Sequence, residues 1–537
     1  MKFSSRTKVI LFGLLILLSL IIRYPSVPHE LGVDSFAMHL CANSISEFGY
    51  AKWWIHPASI LGSYPYSTSP SAVPFALSGL SQLTGIDVES AILVYSIFLG
   101  LFSIFVAFLM AGVIYDDDRF KFFVAFIFST SQGIVTFSTW TGHARTLFVI
   151  SLPLLIYLLL KTRSFKFRIG WLTTLFTILL LVTHHYIYFV LPIILSFILL
   201  MAIYKLSEDG YLNRITELFK INENLVNFLL LAGFIAMLVI PFFTRTFMEM
   251  DPQMSRGGGG RYAWLFIMLQ SYTRYFGVSL VLVIGGLVYL IFKDNKRFEE
   301  YFLLLSFISI TQFLYIITYT KWFIISFFTL FTCVALFNIV KLPQEIKKTA
   351  NSFIIIFLLI SMVFTGYFQF LNDLNNPDYE KRYLEERIYA GAIWSGDNID
   401  KDKNMFSESY ISSRFPSISG IPSLTGVGAP DLAYGFVDPD KLEIKQIYSF
   451  TSVSFYFRDP YKAVNHTSTD WVVYQLKAGE CDINDVGGRG YRIVTRYNLS
   501  YFAEDTEFYN VFSQSVQLTK NCLYDNGKIR IWELHSS

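Results

Sequence analysis

Long apolar runs separated by short polar stretches recur through the first 370 residues. A helix of about 20 residues crosses the hydrocarbon core with its own backbone groups satisfied, so each run predicts a transmembrane span. The runs are Val9–Ile22, Ala91–Tyr115, Phe120–Phe137, Thr146–Leu160, Leu225–Phe243, Val278–Phe292, Tyr301–Thr318, Trp322–Val340 and Phe353–Phe370. Trp171–Tyr204 is too long for one straight span and carries Thr183-His184-His185-Tyr186 at its middle, which predicts two spans meeting at an outer turn. The count is about eleven. Between the first two spans lies a polar loop, residues 23–90, and beyond Leu371 the apolar pattern stops. From Ala390 onward Gly, Pro, Ser and Asp punctuate short runs such as Trp471-Val472-Val473-Tyr474 and Ile529-Arg530-Ile531-Trp532. The expectation is a polytopic α-helical membrane domain, 1–371, followed by an external α/β domain, 372–537.

Orientation follows from the basic residues of the short loops. Lys2, Arg6 and Lys8; Arg119 and Lys121; Lys161, Arg163, Lys166 and Arg168; Lys205, Arg214 and Lys220; Lys293, Lys296 and Arg297; and Lys341, Lys347 and Lys348 fall on alternate loops, which predicts those loops to be cytoplasmic. The N-terminus is then cytoplasmic, whereas loop 23–90, Trp140–Arg145, the histidine turn, Thr244–Arg274, Tyr319–Lys321 and the C-terminal domain are external. An N-terminal run without a small-residue cleavage site predicts an uncleaved helix. The composition, 53% hydrophobic and 16% charged with a net charge of +2, agrees with an integral membrane protein and offers no nucleic-acid surface. Cys481 and Cys522 fall in the external domain, where a disulfide can form. Asn465-His466-Thr467 and Asn498-Leu499-Ser500 match the glycosylation acceptor pattern.

The spans so drawn hold essentially no Asp, Glu, Lys or Arg, which argues against an ion-coupled transporter. Polar chemistry gathers on the outer loops instead. Gly32-Val33-Asp34-Ser35-Phe36-Ala37-Met38-His39 places an acid and a histidine at the membrane surface. Moving a sugar from a lipid phosphate to a hydroxyl needs one base, because phosphate leaves without protonation, and Asp34 can be that base; it can equally be a helix N-cap. Glu47 reads as a solvated acid. In Trp140-Thr141-Gly142-His143-Ala144-Arg145, Arg145 can hold a phosphate and His143 can take a proton, or the segment can be an interfacial anchor. Arg256 and Arg261 flank four glycines and are further candidate phosphate partners, or ends of a connector. Glu249 or Asp251 could complete a cation site with Asp34, for which Mg or Mn would suit. His184 and His185, being adjacent, point to different faces of a helix.

Taken together these positions resemble the GT-C superfamily of polytopic glycosyltransferases and, within it, archaeal proteins similar to oligosaccharyltransferase catalytic subunits. The resemblance rests on Gly32–His39, the order of spans, the external loop near Thr244–Arg274 and the C-terminal domain. It implies an inverting glycosyltransferase with a polyprenyl-phosphate-linked sugar donor, a glycan, lipid or protein acceptor, Asp34 as base or cation ligand supported by His39 and His143, and the plasma membrane of an archaeon. The chain departs from that family in three places. Gly142-His143-Ala144-Arg145 holds no acid where the family has its second acidic motif, Phe247-Met248-Glu249 matches the family's glutamate segment only loosely, and the Trp-Trp-Asp-Tyr-Gly acceptor motif is absent. Transfer of a single sugar therefore fits better than en bloc transfer to asparagine. The rival expectation is a polyprenol or lipid-linked-sugar flippase with no covalent chemistry.

Overall fold

The computed structural model describes residues 1–49, 72–163, 167–184, 186–209, 223–251, 260–340, 344–374, 383–401, 403–407, 411, 414–421, 423–425, 443–446, 454–456, 472–475, 499–507 and 520–534. Its helices in chain order are α1 (Ser5–Ile22), α2 (Val33–Phe48), α3 (Ala72–Thr84), α4 (Val88–Ile114), α5 (Asp118–Thr130), α6 (Gln132–Val135), α7 (Ala144–Thr162), α8 (Phe167–Thr183), α9 (Ile187–Glu208), α10 (Glu223–Thr244), α11 (Thr246–Glu249), α12 (Arg261–Phe276), α13 (Leu280–Phe292), α14 (Phe298–Thr311), α15 (Ile317–Phe323), α16 (Ile325–Ile339), α17 (Gln344–Leu374), α18 (Glu386–Asn398) and α19 (Arg414–Ser419).

Seven of these are long and apolar enough to cross a membrane, among the described residues: α1, α4, α7, α9, α10, the run from α12 through α13, and α17. The α15–α16 pair makes an eighth, bent by 48°. The shorter α5, α8 and α14 occupy the other three expected positions. The protein is an integral membrane protein with a mostly helical fold. Side chains such as Leu195, Ile198, Ile284 and Val363 stay exposed because lipid, not water, is their neighbour.

The boundaries differ from the hydropathy reading where polar groups cut the chain. The Phe120–Phe137 span ends at Thr130, and Ser131 opens the short α6. The Tyr301–Thr318 span ends at Thr311 in a 3-10 turn, Gln312–Tyr315. The expected loop up to Arg274 is largely helix, because Arg261–Phe276 continues toward α13 across Gly277, whose φ of 79° breaks the run. The turn between α8 and α9 falls at His184, as the pattern predicts.

Close packing fixes the bundle at a few points. A Cβ on Gly286 of α13 would lie 1.8 Å from the Phe331 carbonyl oxygen of α16, so only glycine permits that helix contact. Arg23, just past α1, is buried with Nε on Ser138 Oγ, Nη1 on Ser19 Oγ and Nη2 on the Ser129 carbonyl, each at 2.8 Å. Those bonds tie α1 to the segment that leads into Trp140–Arg145.

All strands lie in the C-terminal part: β1 (Asn404–Ser407), β2 (Ser423–Thr425), β3 (Glu443–Gln446), β4 (Ser454–Tyr456), β5 (Val472–Gln475), β6 (Leu499–Asp505), β7 (Asn521–Asp525) and β8 (Ile529–Glu533). Six form a sheet in the order β4-β2-β1-β6-β8-β7, with β1 parallel to both neighbours, and β3 pairs with β5. Ile388 and Ala392 of α18, Met405, Phe415, Ile529 and Ile531 build its core. Phe36 of α2 completes that core, whereas Met38 and Ala42 of the same helix belong to the membrane-domain core. Thus α2 is shared between the two. Cys481 and both glycosylation patterns' asparagines lie outside the described residues.

Candidate active site

The site begins with two backbone segments held side by side. Leu31 N–H donates to the Trp140 carbonyl at 2.9 Å, and Gly142 N–H donates to Ser35 Oγ at 2.7 Å. Gly32 has φ 91°, and a Cβ there would stand 3.3 Å from His143 Nε2. Trp140, with φ 40°, is one of three non-glycine residues in the left-handed region among those described. Such strain persists only where surrounding contacts over-determine it, and here the indole N–H donates to the Glu89 carbonyl while Thr141 N–H donates to Ser96 Oγ at 2.9 Å.

This juxtaposition sets Asp34, in the first turn of α2, against His143, the N-cap of α7. Their Oδ2–Nδ1 distance is 3.2 Å, and Arg145 Nη2 lies 3.9 Å from the same oxygen. The Asp34 side chain is 60% accessible, whereas His143 beside it is buried. Burial alone would raise its pKa, but His143 by charge and hydrogen bond, then Arg145 and His184, hold it well below the usual carboxylate range. Asp34 is ionised at any physiological pH.

Cationic and aromatic groups close in behind it. The Arg145 guanidinium stands 4.2 Å over the Trp322 ring, and Lys321 Nζ lies 4.5 Å from that ring and 4.7 Å from Tyr275. Lys321, expected in an external loop, is instead buried in α15, and no carboxylate partners it among the described residues. Arg145 Nε and Trp322 Nε1 are buried donors with no hydrogen-bond acceptor among the described residues. His184 is buried beside Tyr186, whose backbone N–H donates to its Nδ1 at 3.2 Å. The group is therefore rich in positive charge around one carboxylate.

Other expected residues lie elsewhere. His39 faces away from Asp34, with Nδ1 on Glu30 Oε1, and the Glu30 charge and hydrogen bond raise its pKa against the effect of burial. Arg261 sits over Phe242 and Tyr262 at about 5.8 Å, and Arg256 lies outside the described residues. Glu249 is exposed on α11 with no ion pair to Asp34. Asp251 is fully buried and accepts from Thr318 N–H at 2.7 Å and Thr318 Oγ at 2.8 Å, so it caps α15. Glu47 is exposed, as expected. Glu30, which sequence reasoning passed over, is wholly buried beside Ser35. No spacing rule singles it out, since its role comes from the turn at Gly32.

Asp34 is engaged by His143 and Arg145, and no three His, Cys, Asp or Glu converge among the described residues. Divalent Mg and Mn are suited by several oxygen ligands, so the described residues do not by themselves make such a site. A recess of about 650 Å³ at the other end of α7, lined by Tyr157, Lys161, Arg163 and Leu172 among others, contains neither Asp34 nor its partners.

No protein-family model and no curated protein matches the sequence. Solved structures do. The Archaeoglobus fulgidus oligosaccharyltransferase in complex with Zn and sulfate aligns at TM-score 0.57 and 12% identity over 93% of this chain and 68% of that one. The same organism's oligosaccharyltransferase AglB in complex with an inhibitory peptide and a dolichol-phosphate aligns at 0.51 and 12%, over 94% and 70%. ArnT from Cupriavidus metallidurans bound to undecaprenyl phosphate aligns at 0.52 and 11%, over 99% of both chains. At these identities the likeness is one of fold, and the fold is the GT-C fold that the resemblance implied.

Proposed function

We propose that the chain is an inverting membrane glycosyltransferase. It moves a sugar from a polyprenyl-phosphate-linked donor to an acceptor at the external face of the plasma membrane, with Asp34 as the base. The observation that carries this reading is one ionised, accessible carboxylate beside two buried donors that lack an acceptor among the described residues, Arg145 Nε and Trp322 Nε1, with the buried Lys321 ammonium against the same Trp322 ring. A phosphate bound there would satisfy both donors and meet the charge of Lys321. The neighbours bound to dolichol-phosphate and undecaprenyl phosphate support the same ligand class.

The acceptor hydroxyl oxygen attacks the anomeric carbon from the face opposite the phosphate, and the carbon–oxygen bond to the leaving phosphate breaks. Because the phosphate leaves as an anion, Arg145 and Lys321 stabilise its growing charge and no acid is required. The hydroxyl proton becomes acidic as its oxygen bonds to carbon, so even a carboxylate of low basicity receives it, and transfer to Asp34 follows bond formation. His143 keeps the Asp34 oxygens in place. The external α/β domain packs on α2 and would bound the acceptor side.

In proteoliposomes holding a labelled polyprenyl-phosphate sugar, the wild-type protein should release the sugar to acceptor and Asp34→Asn should not. Transfer undiminished in Asp34→Asn sinks the assignment, and movement of intact lipid without loss of its sugar supports the flippase instead. Thin-layer chromatography of the labelled product tests the single-sugar reading, since one transferred sugar and a transferred oligosaccharide migrate differently. Retention of transfer in a chelator would agree with the donor set at Asp34.

A further inference from the structure

Three residues of the opening segment, Glu30, Ser35 and His39, form with Gly142 a closed arrangement that takes no direct part in the transfer reaction. Glu30 is fully buried, with Oε1 on His39 Nδ1 and Oε2 accepting from the Ser35 hydroxyl at 2.5 Å each. The same hydroxyl accepts from Gly142 N–H at 2.7 Å. Ser35 adjoins Asp34 and Gly142 adjoins His143, so the clasp lies one residue from the pair it serves.

We propose that Glu30 is a positioning residue of the site: by accepting the hydrogen bond of the Ser35 hydroxyl it turns an oxygen lone pair toward Gly142 N–H and so sets the spacing between Asp34 and His143. A serine hydroxyl has one proton and two lone pairs, and it rotates freely unless held. Without an acceptor at Glu30 the proton can point toward Gly142 N–H, which is a donor, and the two segments separate. The need for such a clasp is visible in the backbone, since Trp140 at φ 40° is held in the left-handed region two residues before Gly142. His39 supplies the opposite charge that lets a carboxylate remain buried there. His39 acts on Asp34 only through Glu30 and Ser35.

This inference rests on the reading of Asp34 as base. The test uses the full-length protein in proteoliposomes with a polyprenyl-phosphate sugar, comparing Ser35→Ala, Glu30→Ala, Glu30→Gln and Asp34→Asn. Misplacement of about 1 Å costs about 100-fold in rate, so Ser35→Ala and Glu30→Ala should lower kcat by about 10- to 100-fold with donor KM nearly unchanged. Glu30→Gln should recover most of that loss, because its amide oxygen still accepts from Ser35 and its NH2 can donate to a neutral His39 ring. A Ser35→Ala protein that elutes and melts as wild type and keeps wild-type kcat overturns the proposal. So does a rise in KM at constant kcat, or a Glu30→Gln enzyme as slow as Glu30→Ala. Should Glu30→Ala not fold, Ser35→Ala and Glu30→Gln decide. If Asp34→Asn itself remains active, the underlying reading of Asp34 has failed, a result separate from the Ser35 outcome.

Discussion

Asp251 provides a quantitative test of how the cationic side of the site is built. Its buried carboxylate receives Thr318 N–H at 2.7 Å and Thr318 Oγ at 2.8 Å, at the start of the helix that carries Lys321 and Trp322. A hydrogen bond to a charged group contributes about 1.5–3 kcal/mol, and these two share one carboxylate, so Asp251→Ala should cost about 3 kcal/mol. Asp251→Asn keeps an acceptor for the backbone N–H and a donor for Thr318 Oγ, and should cost about 1 kcal/mol. Thermal unfolding in detergent, followed by loss of the monodisperse elution peak, gives the order wild type, Asn, Ala. Donor KM should rise in the same order, since Lys321 loses its fixed position. Equal midpoints for Asp251→Ala and wild type would refute the capping argument. A midpoint raised by Mg or Mn in wild type but not in Asp251→Asn would instead make this carboxylate a cation ligand.

Gly286→Ala should destabilise the bundle by about 1–3 kcal/mol or more, since the new methyl would meet the Phe331 carbonyl oxygen at 1.8 Å; an unchanged melting midpoint would contradict this. Lys321→Gln should raise donor KM by about 10- to 100-fold, whereas Arg261→Gln, whose guanidinium rests only on Phe242, Phe243 and Tyr262 among the contacts described, should leave it nearly unchanged. His29 Nδ1 lies 3.0 Å from Glu89 and Nε2 3.1 Å from Glu386; burial opposes its charge, but the two carboxylates raise its pKa above the ordinary 6.5. A raised histidine stabilises fully below that ordinary value and loses the contribution as pH climbs through the raised one. Resistance of the C-terminal domain to limited proteolysis should therefore fall between neutral and alkaline pH, and His29→Asn should flatten the profile, with His39 leaving a residual dependence of the same sign.

The hydropathy of single runs located the membrane helices because burial in lipid depends on composition, which a linear sequence carries. It failed where contacts between distant segments decide. Arg261–Phe276 reads as a polar loop from its Arg, Gln, Ser and Thr, yet Trp264 donates to the Tyr315 carbonyl at 3.0 Å and Tyr272 to that of Leu314 at 2.8 Å, which makes it a packed helix. Lys321 looks like a loop cation until the bend between α15 and α16 draws it in. Within the site, Asp34, His143 and Arg145 were visible as polar residues at an apolar edge, and the structure brings all three together. His39 and Glu30 were not separable by role, because which histidine meets which acid depends on the positive φ at Gly32.

The double membership of α2 has a consequence for biogenesis. Phe36 is part of the core of a domain that the ribosome makes after the membrane bundle, and Asn43 donates to the Ser417 carbonyl at 2.9 Å on its far side. The helix bearing Asp34, the proposed base, is thus anchored on one side by residues synthesised some 350 positions later, counting from Phe36 to Ile388 and beyond. The membrane bundle can insert early, but the Asp34 turn lacks half its support until that domain has been made. Such a protein stays silent while it is still being made, and a chain ending after α17 should insert normally yet show no transfer when assayed beside the full-length protein.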